Sequence, residues 1–126
     1  MARSRRLRPL RVSQEFRSFV LDQLGGVPLL RSRAMFGGVG LYSGDTFFGI
    51  IAADELFLRT DDSTRGAYEA AGSEPFRPYA DKPMTMAYWR VPLGVLEDAA
   101  ELAAWARAAV RVAASAPAKR RRSRPR

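Results

Sequence analysis

Three glycines in four positions, Gly37, Gly38 and Gly40 within "MFGGVGLYSG" at residues 35–44, have the type and spacing of a phosphate cradle. A glycine loop holds phosphate by opening a helix whose free N–H groups face the anion. Here Leu41 and Tyr42 lead instead into a Ser43-Gly44-Asp45 turn signal and then "TFFGIIA", an aromatic and β-branched run that reads as a strand. No Gly-Lys-Ser/Thr ending follows, nor an acidic residue closing a βαβ unit. The glycines therefore read as a bulge or tight bend, where φ > 0 or a close backbone approach excludes a Cβ.

The other reactive groups are sparse. With no Cys and no His, the chain has no thiol nucleophile, imidazole base, disulfide or zinc site of the usual ligands. Asp61-Asp62 supplies too few oxygens for calcium and reads as a helix cap, while Asp45, Asp54 and Asp81 stand at turn positions. Scattered carboxylates and Lys82 are the remaining bases, and none is paired with a nucleophile in sequence. The chain is read as non-enzymatic, with no cofactor and no metal.

Charge is unevenly placed. The 126 residues carry +8 overall. Residues 1–12 hold five arginines (Arg3, Arg5, Arg6, Arg8, Arg11) and no acid; residues 115–126 hold Lys119, Arg120, Arg121, Arg122, Arg124 and Arg126 and no acid. Residues 13–114 hold ten basic against thirteen acidic side chains, a net −3. The basicity lies in the ends, which read as a disordered arm (1–12) and tail (115–126) around one folded domain (13–114). No apolar run approaches a membrane span, no secretory core is present, and the expected location is cytoplasmic.

The elements follow from periodicity. Ser13 caps a helix from about Gln14 to Leu24, ended by Gly25-Gly26. Arg33–Phe36, Val39–Tyr42, Thr46–Ala52 and Glu55–Thr60 read as strands, and their short links force antiparallel pairing. Asp61-Asp62 opens a second helix through Ala71, closed by Gly72; the proline-bearing residues 73–84 form at most an edge strand; "MTMAYWRVP" returns to strand. Asp98 with Glu101 begins a third helix, to about Ala113, bearing the stripe Leu102, Trp105, Ala106, Ala109 and Val110. Phe16, Phe19, Leu24, Phe57, Trp89, Leu102 and Trp105 are expected to meet in one core.

The ordered set "RAMFGGVGLY", "LFLRTDD", "EAAGSEPF" and "MAYWRVP", spanning roughly Phe16 to Val112, resembles the N-terminal domain of the TfoX/Sxy family of bacterial competence regulators. The resemblance implies a two-layer α+β fold, an antiparallel sheet of about five strands packed by helices in the order α-β-β-β-α-β-β-α. It also implies a regulatory or protein-interaction module without catalytic residues. In the best-known members this action is exerted with the cyclic-AMP receptor protein, and longer members add a helical C-terminal domain; this sequence is read as the first domain standing alone.

Met35-Phe36 and Tyr88-Trp89-Arg90 have the residue types that grip partners, although Phe36 and Trp89 read as sheet core. Tyr88 and Arg90 face away from Trp89 and, with Arg77 and Lys82, make the candidate partner surface on the folded domain. The partner expected first is an unidentified protein. The second is nucleic acid bound without sequence preference through the arginine-rich ends, with no membrane involved. If the six C-terminal charges engage phosphates, the log–log salt slope on duplex DNA approaches about −5, from about −0.9 per phosphate. A chain ending at Ser115 is then expected to lose most of that slope in a salt titration while its melting temperature is unchanged; equal affinity with and without the ends defeats the tail reading.

Overall fold

The fold is seen in a computed structural model that describes residues 11–35, 37–77 and 87–115. Ser13 has extended backbone and its hydroxyl accepts from Phe16 N–H at 3.1 Å, which starts helix α1 (Gln14–Gln23). Four strands follow: β1 (Leu30–Met35), β2 (Gly38–Ser43), β3 (Thr46–Ala52) and β4 (Glu55–Arg59). Asp61 caps α2 (Asp62–Ala70) in a full capping box with Thr64, and Gly72 at φ +75° lets the chain leave it. After β5 (Tyr88–Arg90), Pro92 opens a one-turn helix α3 (Leu93–Leu96) that was not evident in the sequence. Asp98 accepts from Glu101 N–H at 3.1 Å at the head of the long helix α4 (Ala99–Ser115).

The strands form one antiparallel sheet in the order β1-β2-β3-β4-β5. Its α+β class and five strands agree with the sequence reading. The family order put three strands before the second helix and two after it; the described chain puts four before it, as the strand periodicity indicated, and β5 after it. Residues 74–76 extend the sheet beyond β5 by an isolated bridge, Pro75 to Trp89, with Phe76 N–H donating to Tyr88 C=O at 2.7 Å and Arg90 N–H to Glu74 C=O at 3.0 Å. This is the edge position that a proline tolerates. Phe36, residues 78–86 and residues 116–126 lie outside the described residues, and with them part of the expected edge segment.

The main core fills the space between the sheet and the helices. Val20 and Leu24 of the first helical segment, Leu102, Ala106 and Ala109 of α4, and Leu41, Phe48, Ile51, Leu56, Leu58 and Trp89 of the sheet are all buried there. Phe16 and Trp105 pack on it while half-buried. Two expected members depart from it. Phe19 is 40% exposed because it falls off the buried stripe of α1. Phe57 lies between Leu56 and Leu58 and so points through the opposite face of the sheet, where it joins a second cluster with Ala52, Phe76 and Tyr88.

The glycines behave as bends and close approaches. Gly37 has φ +85°, and a Cβ on Gly38 would stand 2.6 Å from the Ile51 carbonyl oxygen of the paired strand. The β3–β4 loop shows the reverse situation: Ala53 and Asp54 both adopt positive φ, 52° and 56°, the primed hairpin turn. An alanine there is strained, whereas Asp54 justifies its place by accepting from Ser13 N–H at 2.7 Å, pinning the start of α1 to the turn. Ala53→Asn is expected to stabilise the fold by about 0.5–1 kcal/mol, since Asn tolerates the left-handed region. Gly38→Ala is expected to destabilise it by about 1–3 kcal/mol through overpacking against backbone. Urea unfolding of both variants checks the opposite signs.

Candidate functional site

Two places gather polar and aromatic side chains. The first is a groove of about 280 Å³ between α2 and α4, lined by Arg59, Ser63, Thr64, Tyr68 and Trp105 with small residues of both helices. Trp105 stands edge-on to Tyr68 with ring centroids 4.7 Å apart, and Tyr68 reaches Trp89 at 6.5 Å. Burial pushes the Tyr68 phenol well above its ordinary pKa, so it stays neutral. The hydroxyls of Ser63 and Thr64 are already committed to Asp61, at 2.7 and 3.4 Å. They finish the helix cap, as the sequence reading of Asp61 anticipated, and offer no activated nucleophile.

The second place is the face of the sheet turned away from the helices. Residues opposite one another in an antiparallel ladder share a face, so the register lays out this surface directly. Arg33, Gly40, Ile50, Phe57 and Arg90 form one row across all five strands. Beside it run Arg31, Tyr42 and Phe47, then Arg59 opposite Tyr88. The rings form a chain: Tyr42 to Phe47 at 5.2 Å, Phe47 to Tyr88 at 5.6 Å, with the Arg59 guanidinium over Tyr88 at 5.7 Å. Phe57 and Phe76 meet with centroids 4.8 Å apart and planes tilted by 53° at the β5 end of this face.

A register shift between Leu41 and Tyr42 decides which residues of β3 beyond Phe48 share that face. Tyr42 pairs with Phe47 and Leu41 with Gly49, leaving Phe48 as the extra residue of a bulge. Phe48 turns into the helix-side core and is fully buried, while Phe47 stays on the other face among the rings. Gly49, flanked by Leu41 and Leu58, leaves the room that core needs. Met35 folds across Gly40, where a Cβ would come within 2.9 Å of its methyl carbon.

The candidate residues named from sequence divide clearly. Tyr88 does face away from Trp89, but it is buried rather than presented: Phe47, Phe76 and Arg59 cover it. Tyr88 stands opposite Arg59 of β4 on one side and Phe76 on the other, and side chains from both neighbours close over its ring. Arg90 is half-buried on the same face, with Glu74 opposite it across the bridge, and Arg77 is exposed nearby in sequence. Arg11 is exposed; Lys82, Arg3, Arg5, Arg6, Arg8, Lys119, Arg120, Arg121, Arg122, Arg124 and Arg126 lie outside the described residues.

Sequence reasoning missed Arg31 and Arg33, which stand two residues apart, exposed, on the edge strand β1. Their signal was present as alternation in "LRSRAM" but starting the strand at Arg33 hid it. Arg59 was missed as well; its Nε is buried with no hydrogen-bond partner among the described residues, held instead against the Tyr88 ring. The acids lie largely elsewhere: Glu15 and Asp22 on α1, Asp61, Asp62 and Glu69 at α2, and Glu97, Asp98 and Glu101 around α3 and α4. A net −3 for the middle of the chain thus conceals a sheet face where Arg31, Arg33, Arg59 and Arg90 outnumber Glu55 and Glu74, and helices where those eight acids outnumber Arg17, Arg65, Arg107 and Arg111.

Fold and site together define a small α+β domain with one helix-covered sheet face and one aromatic, arginine-bearing face. The model of the TfoX N-terminal domain matches residues 22–113, and the chain belongs to that family. Curated proteins give no match. Among the described residues no helix is long and apolar enough to cross a membrane, and no acidic group is arranged to hold a metal ion.

Hydrogen bonds from Ser63 and Thr64 hold the Asp61 carboxyl below its ordinary pKa. A depressed folded-state pKa contributes stability that is present above the unfolded value and is lost as pH falls through the folded one. Melting temperature is therefore expected to drop across the acid range in part through this cap, and Asp61→Ala is expected to melt lower at neutral pH with a shallower acid dependence. An unchanged acid dependence in the variant assigns the loss to other carboxylates.

Proposed function

We propose that this chain is a non-enzymatic regulatory module that acts by binding a macromolecular partner through the helix-free face of its sheet. The observation that carries the reading is the composition of that face. Exposed Arg31 and Arg33 border the half-buried rings Tyr42 and Phe47, a combination of cation and aromatic that suits recognition. The α2–α4 groove supports it less, because its hydroxyls serve the helix cap. Membership of the TfoX N-terminal family is in keeping with a regulatory role, with a protein as the partner first expected.

A second reading, a nucleic-acid partner, is favoured by the same arginines and by the arginine-rich ends of the sequence. Affinity capture from a lysate of the source cells on the immobilised full chain, set beside Arg31→Glu/Arg33→Glu and repeated after nuclease treatment, tests both. The native chain is expected to retain a partner that the double reversal releases. Identical retention by both chains overturns the face as the binding surface. Nuclease-resistant retention that the reversal abolishes assigns a protein partner; nuclease-sensitive retention assigns nucleic acid.

A further inference from the structure

Resting on the reading of the sheet face as the binding surface, we infer that its occupant is single-stranded nucleic acid, with phosphates on Arg31 and Arg33 and bases stacked on Tyr42 and Phe47. Charge narrows the choice first. A second copy of this chain packed face to face would set Arg31 and Arg33 against the same arginines, and the chain's own ends are as basic as the face. Both are repelled, and the exposed Arg31 and Arg33 favour an anionic occupant. Glu55 and Glu74 share the face at its β4 and β5 end, away from Arg31 and Arg33 on β1, and the Asp45 contact with Arg31 at 3.4 Å is an exposed pair of little strength.

The spacing selects among anions. Arg31 and Arg33 are two residues apart on one strand face, about 6.8 Å, which suits successive phosphates of an extended chain. One and two strands inward lie Tyr42 and Phe47, themselves in contact at 5.2 Å, so bases directed inward from that backbone meet π-faces. Sheets with aromatic side chains on an open face stack unpaired bases in this manner, and the contact tolerates any base. An acidic peptide would use the arginines but leave the rings without a matching group. A duplex would present its phosphates but keep its bases inside.

The test measures fluorescence anisotropy of a labelled oligo-dT and of a duplex of equal length with the full chain, native and substituted. Oligo-dT is expected to bind more tightly than duplex. Phe47→Leu is expected to weaken oligo-dT binding by about fivefold or more and leave duplex binding unchanged, because only stacking is lost. Arg33→Gln is expected to weaken both and to reduce the salt slope by about one unit. Should Phe47→Leu melt at a lower temperature, Tyr42→Leu makes the same measurement at the half-buried neighbouring ring. Unchanged oligo-dT affinity in a folded ring variant overturns the inference, as does a preference for duplex. Displacement of oligo-dT by poly-glutamate at matched charge also overturns it and assigns an acidic protein segment, leaving the sheet face itself in place as the binding surface.

Discussion

The bulge at Phe48 governs how both faces of this sheet are furnished. β3 is the middle strand, and strict alternation along "TFFGIIA" would pair Phe47 with Tyr42 and Phe48 with Leu41 but then turn Ile50 towards the helices and Ile51 away from them. Inserting Phe48 as an unpaired residue between the Tyr42–Phe47 and Leu41–Gly49 pairs resets the faces that follow, so that Gly49 and Ile51 turn to the helices and Ile50 and Ala52 to the other side. One ring goes wholly into the helix-side core, where α4 packs on it; the other starts the chain of rings on the far side. Gly49 then removes a side chain where Leu41 and Leu58 converge, and Gly38 admits the Ile51 carbonyl further along the pair. The small residues and the large ones are consequences of the same register.

That arrangement divides a large core on one side of the sheet from a sparsely covered face on the other. Leu24, Leu41, Ile51, Leu56, Leu58 and Leu102 are fully buried on the helix side, and truncating any of them costs about 2–5 kcal/mol. The opposite face has a smaller cluster and only half-covers Tyr42, Phe47 and Ile50. Its arginines do little for folding: the Arg31 pair is exposed, and Arg59 lies over a ring without a carboxylate.

Much of the fold was legible because local rules and tertiary packing agree. Ser13, Asp61 and Asp98 each cap the helix that follows, and Gly72 leaves its helix through positive φ. Thr46–Ala52 has the strand limits its composition gives. The one-turn α3 escaped notice because four residues are too few for a period to show. The bulge was hidden because two adjacent phenylalanines look alike in sequence whether or not one is unpaired. Phe57 was misassigned to the helix-side core although Leu56 and Leu58 beside it already claimed that face, an error that alternation alone could have prevented.

The site was harder to read than the fold, for a reason that lies in charge averaging. Dividing net charge by segment assigns the middle of the chain −3 and sends the search for cations to the ends. A sheet does not average along the chain; it gathers residues from distant segments onto one side and excludes those on the other. Arg31, Arg33, Arg59 and Arg90 come from three strands, and no short window contains more than two of them. Meanwhile the carboxylates concentrate at helix starts, where orphan N–H groups and the positive end of the helix dipole stabilise them. Helix capping thus draws negative charge into one layer, and the sheet face behind it is left cationic even though the folded domain as a whole is acidic.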